Sequence, residues 1–131
     1  DPTHFGDTIE LKTYAELNAK KLSNGEDLPL LEDYFKTGTA SKHHTLLVCE
    51  IKAALLSNTT SQLTTTETIA LAKKLGIEDR IIYISFDFEV LQTIRANRPT
   101  ATVLYLENNK SLEDILVAKF NGINFSTKFS R

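Results

Sequence analysis

What most limits the folds open to this chain is a regular alternation of strand-like and helix-like segments between residues 46 and 125. Residues 46–52 (LLVCEIK) form an apolar run that turns charged at Glu50 and Lys52, a pattern expected of a strand. Residues 66–75 place Ile69, Ala70, Ala72 and Leu75 on one helical face, and Gly76 ends it. Residues 81–86 (IIYISF) are β-branched and aromatic, as strands prefer. A helix is expected over residues 88–96, with Phe88, Leu91 and Ile94-Arg95 at helical spacing, closed by Pro99; a third strand follows over 101–106. Ser111 should cap a helix reaching about Lys119 that buries Leu112, Ile115 and Leu116, and a fourth strand starts at Gly122-Ile123-Asn124-Phe125.

Strand and helix in strict turn imply an α/β fold of parallel strands covered by helices. Nearly continuous apolar strands fit burial on both faces. Right-handed crossovers can wind such units into a (β/α) barrel or an open sheet, and periodicity alone does not choose. A whole eight-stranded barrel takes about 250 residues, and this chain has 131.

Residues 1–40 read as an irregular region preceding the β/α units of 41–131. Within it, Thr13 and Glu16 have the spacing of a capping box for a short helical turn, and residues 23–27 form a turn cluster. Pro29 suits the first turn of a helix carrying Leu30, Leu31, Tyr34 and Phe35, with Gly38 as its expected stop.

Composition removes several classes of function. A net charge of −2, with both signs interspersed, gives no reason to expect nucleic-acid binding. No apolar run approaches the roughly 20 residues needed to span a bilayer. Cys49 is the only cysteine, which excludes an intrachain disulfide and a multi-cysteine zinc site; between Val48 and Ile51 it reads as a small buried hydrophobe. The chain opens on Asp1-Pro2-Thr3 and contains no Met, so it is expected to be a piece of something longer.

In parallel α/β folds ligands bind at the carboxyl ends of the strands. That rule selects Glu50 and Lys52, then Ser85, Phe86 and Asp87, then Tyr105 and Glu107, then Ser126. Glu50 and Lys52 are two apart, so alternation sends both to one side of the sheet. A carboxylate suits a hard cation, and an ammonium two residues on can hold a phosphate oxygen. The plain alternatives are an ion pair, or a lysine reaching into solvent. His43 and His44 are adjacent in a polar stretch and read as a solvated loop; His4 reads as a surface residue without a partner. Residues 59–66 (TTSQLTTT) lack the glycines of a phosphate loop and read as a loop leading into a helix.

Several segments together resemble the glycerophosphodiester phosphodiesterase family, in that family's order. Asp1-Pro2-Thr3 is similar to its His-Asp-x-Thr segment. Residues 13–17 (TYAEL) and 25–32 (GEDLPLLE) are similar to its T-x-A-E-L and G-E-x-I-P-T-L-E stretches. Glu50-Ile51-Lys52 stands at its E-I-K, and residues 75–80 (LGIEDR) leading to Ile84-Ser85-Phe86-Asp87 resemble its L-G-x-x-D-R and I-S-S-F-D. The resemblance implies one incomplete domain over residues 1–131, a partial TIM barrel of about four parallel strands. It implies hydrolysis of a small glycerophosphodiester to glycerol 3-phosphate and an alcohol, aided by Mg2+ or Ca2+, with a place in lipid and glycerol metabolism. Glu50 matches a metal ligand of the family, Lys52 a residue on the phosphate side, and Phe86 a pocket wall. The family's catalytic histidines and its Glu-x-Asp ligands have no counterpart here, and Ala53 replaces a proline often found after the lysine. The piece alone is therefore expected to be inactive. The alternative is a non-catalytic α/β domain that binds phosphorylated ligands or a protein partner.

Overall fold

The computed structural model of the chain describes residues 2–41, 43–107 and 109–124; the sequence-based expectations at Asp1, Phe125 and Ser126 lie outside them. Four strands form one sheet in the order β1 (Leu47–Glu50), β2 (Ile81–Ser85), β3 (Thr102–Tyr105) and β4 (Gly122–Ile123), and every pairing is parallel. The expected parallel α/β arrangement is therefore present. Glu50, Ile84, Leu104 and Gly122 lie in one row across the sheet. Pairing extends beyond the strand ends through Ile51 N–H to the Ile84 carbonyl (3.0 Å) and Leu106 N–H to the Ser85 carbonyl (3.0 Å).

The two faces of the sheet differ. Leu47, Cys49, Ile51, Ile81, Tyr83, Val103 and Tyr105 point into a core completed by helical side chains, and all are buried. The alternate residues Val48, Ile82, Ile84 and Leu104 occupy the other face, where Val48 is exposed and the rest half-buried. Burial on both faces is thus not seen among the described residues.

Among the described residues five α-helices accompany the strands: α1 (Tyr14–Asn18), α2 (Leu31–Thr39), α3 (Asn58–Lys74), α4 (Phe88–Asn97) and α5 (Leu112–Val117). The expected capping box at α1 is formed, with Glu16 N–H donating to Thr13 Oγ1 and Thr13 N–H to Glu16 Oε2. In α4, Val90, Leu91 and Ile94 form a buried face, and Phe88 meets Tyr105 edge-on with ring centroids 5.4 Å apart.

Four helical expectations need correction. Residues 59–66 are not a loop: α3 begins at Asn58. Its buried stripe is Ser61, Thr65, Thr68 and Ala72, which share a face at helical spacing but are too polar to register as an apolar pattern. The hydroxyls are satisfied inside the helix, Thr65 Oγ1 donating to the Ser61 carbonyl (2.7 Å) and Thr68 Oγ1 to that of Thr64 (2.8 Å). Gly38 does not stop α2 but lies within it, because α2 comes so close to β1 that a Cβ there would sit 2.6 Å from Leu47 Cδ2. In α5 only Ile115 is buried; Leu112 and Leu116 face outward. Likewise α2 buries Phe35 and leaves Leu30, Leu31 and Tyr34 exposed.

Arg80 fixes the approach to β1. Its guanidinium donates to the carbonyls of Thr39, His43 and Thr45, each at 3.1 Å, and so clamps the connection from α2. Gly76 supplies the left-handed turn (φ +66°) between α3 and that arginine. The LGIEDR segment is thus a structural joint.

Candidate functional site

Because all strands run the same way, their carboxyl ends gather along one edge of the sheet. Ile51 is buried against the helices, and its N–H still pairs with β2. Its neighbours Glu50 and Lys52 therefore take the opposite face, and both side chains are exposed. Among the described residues no ion pair or hydrogen bond involves either of them, so the ion-pair alternative is not formed. An acid and a base are thus exposed two residues apart at the carboxyl end of β1.

At the end of β2, three successive residues divide their duties. Ser85 is fully buried; its Oγ donates to the Ile51 carbonyl (2.6 Å) and accepts from Asp87 N–H (3.0 Å). The hydroxyl therefore stitches the end of β2 to the peptide between Glu50 and Lys52. The Asp87 carboxylate accepts from Glu89 N–H (2.8 Å) and Val90 N–H (3.2 Å), capping α4. Phe86, between them, is 55% exposed. Of this triplet only Phe86 presents its side chain at the open edge.

The other strand-end residues separate in the same way. Tyr105 lies on the helix side, its hydroxyl donating to Asn109 Oδ1 (2.6 Å), and burial raises its pKa. Glu107 is half-buried. His43 and His44 are exposed, as expected of a loop. His4 departs from expectation: it is half-buried, with Nε2 3.0 Å from the Leu17 carbonyl oxygen, an anchor for α1.

Glu10 belongs to the site's support and was not singled out from sequence. Its carboxylate accepts from Leu55 N–H (2.5 Å) and Leu56 N–H (3.0 Å), tying the amino-terminal region to the loop that follows Lys52. No sequence signal links two positions 45 residues apart. Close by in sequence, Lys12 and Lys20 beside Asp7 hold its carboxyl below the usual carboxylate range.

Two buried titratable groups stand away from this edge. Burial pushes the Cys49 thiol up to about 11, as expected of an inert core cysteine, and the Tyr83 hydroxyl up to about 12. Among the described residues there is no group of three or more His, Cys, Asp or Glu side chains that could hold a metal ion, and no helix long and apolar enough to cross a membrane.

No protein-family model matches the sequence, and no curated protein matches it. Solved structures do. The crystal structure of a glycerophosphodiester phosphodiesterase from Parabacteroides distasonis aligns with a TM-score of 0.85 and 28% identity, over 95% of this chain and 52% of its own. A candidate glycerophosphodiester phosphodiesterase from Galdieria sulphuraria aligns with a TM-score of 0.71 over 87% of this chain and 47% of its own; at 23% identity that likeness concerns the fold alone. The chain spans about half the length of either structure. Its four strands and covering helices are a partial (β/α) barrel, and in fold as in motif order the chain resembles the glycerophosphodiester phosphodiesterases.

Proposed function

We propose that this chain supplies one wall of the active-site mouth of a hydrolase that splits glycerophosphodiesters into glycerol 3-phosphate and an alcohol. One observation carries the reading: Glu50 and Lys52 are both exposed at the carboxyl end of a parallel sheet, and among the described residues neither has an ion-pair or hydrogen-bond partner for its side chain. Lys52 would hold a phosphate oxygen as a mobile point charge. Phe86 would lie along the carbon skeleton of the glycerol, giving an apolar wall beside the charged pair. Ser85 and Glu10 act on position, keeping the Glu50–Lys52 segment and its following loop in place.

A metal is the less complete part of the proposal. Mg2+ and Ca2+ take six or more oxygen ligands, and Glu50 stands without the further acidic or histidine groups such a site needs among the described residues. These residues alone do not fit the ion. Glu50 is then one ligand of a set that a longer chain completes, and the 131-residue chain by itself turns over no substrate.

The test uses a longer chain that carries this segment together with the family's catalytic histidines and Glu-x-Asp ligands. It should hydrolyse glycerophosphocholine in a chelator-sensitive way, and Glu50→Gln should abolish turnover. Chelator-sensitive turnover retained in that variant removes Glu50 from the metal site.

The missing ligand cluster also favours a second reading, a non-catalytic domain that binds phosphorylated ligands through Lys52. Its mark would be glycerol phosphate binding that is indifferent to chelator and lost in Lys52→Ala.

A further inference from the structure

We propose that the alcohol released by this hydrolase is an uncharged polyol, seated in a cavity between the first turns of α3 and α4. This inference rests on the hydrolase reading above and names the substrate class for it.

The cavity measures about 680 Å³, inside the range of about 300–1,000 Å³ typical of small-molecule sites. It lies between α3 and α4, over β2, which is paired on both sides, and so stands clear of both outer edges of the sheet. Ala54, two residues beyond Lys52, belongs to one wall, and Asp87, next to Phe86, to the other. At about 3.8 Å per residue, the cavity opens within about 8 Å of chain from the residues assigned to phosphate and glycerol. An alcohol esterified to the same phosphate therefore has a place to lie. The walls are fixed within the fold. Ser61 Oγ accepts from Ala54 N–H (2.8 Å), which holds the loop to α3, and Glu10 holds the N–H groups of Leu55 and Leu56. Asn58 Nδ2 donates to Glu89 Oε2 (2.9 Å), bridging α3 and α4.

Charge narrows what the cavity can take. Its charged residues are Asp87, Glu89 and Lys110, so a second phosphate or a carboxylate would meet a net negative wall. A quaternary ammonium is recognised on open aromatic faces, and Phe88 is the only ring in the lining among the described residues. Lys110 Nζ stands 5.1 Å from the centroid of that ring, and Tyr105 and Phe120 pack against it at 5.4 and 4.9 Å. A cationic head group would thus meet a like charge on an occupied ring. Hydroxyl groups suit the lining better. Ser57 Oγ and the Gln92 amide make no hydrogen bond among the described residues, and each can both donate and accept. Glu89 adds an acceptor and Lys110 a donor. Several hydroxyls on one uncharged skeleton match that mixture. In the reaction the P–O bond to the polyol breaks; water supplies the hydroxyl that phosphorus gains and the proton that the polyol oxygen gains.

The test uses the longer chain described above, with glycerophosphoinositol and glycerophosphocholine as probes. The kcat/KM for the inositol ester should exceed that for the choline ester by about tenfold. Gln92→Leu alters an exposed position; it should lower the inositol value about tenfold and the choline value less than about twofold, with unchanged circular dichroism. Lys110→Met, which uncovers the Phe88 ring, should raise the choline value. An inositol value equal to or below the choline value overturns this proposal alone, since turnover of either ester leaves the hydrolase reading standing. A preference unchanged by both variants does the same, because the alcohol is then read elsewhere. No turnover of either ester overturns both readings.

Discussion

Replacing Ser85 by alanine removes one oxygen atom from a side chain with no solvent exposure. Two hydrogen bonds depend on that atom: its donation to the Ile51 carbonyl (2.6 Å) and its acceptance from Asp87 N–H (3.0 Å). A buried group left without its partner costs about 1–3 kcal/mol. Ile51 is almost fully buried, which puts its carbonyl in the middle of that range. Asp87 is half-buried, so its N–H regains some hydration and falls at the low end. Together the loss should be about 2–4 kcal/mol, a large share of the stability of a domain this size. Urea unfolding followed by circular dichroism, at one fixed protein concentration, measures it as a lower midpoint with an unchanged slope. Ser111→Ala is the internal control: it removes an exposed helix cap, which should cost about 1 kcal/mol. If Ser85→Ala costs no more than Ser111→Ala, the strand-end stitch is not what holds the Glu50–Lys52 segment.

Gly38→Ala should lower stability by up to about 2 kcal/mol, because the new methyl meets Leu47 Cδ2 at 2.6 Å and an overpacking cost of about 1–3 kcal/mol is offset by about 1 kcal/mol of helix preference; calorimetry checks it. Tyr83→Phe should raise stability by up to about 1 kcal/mol, read as a higher urea midpoint, since the buried hydroxyl has no hydrogen-bond partner among the described residues. The Cys49 thiol, normally at 9.0, stands at about 11 in the folded chain. The unfolded state therefore binds fewer protons between those values, and stability is full below about pH 9 and falls as pH rises through 11, by about 3 kcal/mol. Cys49→Ala should flatten that part of the pH profile. A thiol reagent at pH 8 should modify Cys49 only under unfolding conditions.

The parallel sheet was legible in the chain because its strands combine β-branched and aromatic runs with helical periods between them. Thr13 with Glu16, and Ser111 at the head of α5, announced helix starts through local chemistry that needs no tertiary partner. The first half of α3 stayed hidden for the opposite reason. Its buried stripe is built from hydroxyl side chains that bond back to their own helix, and hydropathy does not register them as core. Gly38 misleads in sequence because glycine marks a helix end in one setting and a close approach in another, and only the position of Leu47 decides. Leu112 and Leu116 were read as core because their spacing suits burial, but the described residues bring nothing over them. Of the site, the shared side of Glu50 and Lys52 followed from alternation alone. The roles of Ser85 and Asp87 did not, since any polar residue at a strand end looks like a candidate until its hydrogen bonds are known.

Phe86 sits between two residues that are each pinned by backbone hydrogen bonds, while its own ring reaches outward. Exchanging that ring leaves the stitch to β1 and the cap of α4 untouched. The position is therefore open to evolutionary drift: what the ring contacts can be retuned from one lineage to the next at little risk to folding, whereas its two immediate neighbours have almost no such latitude.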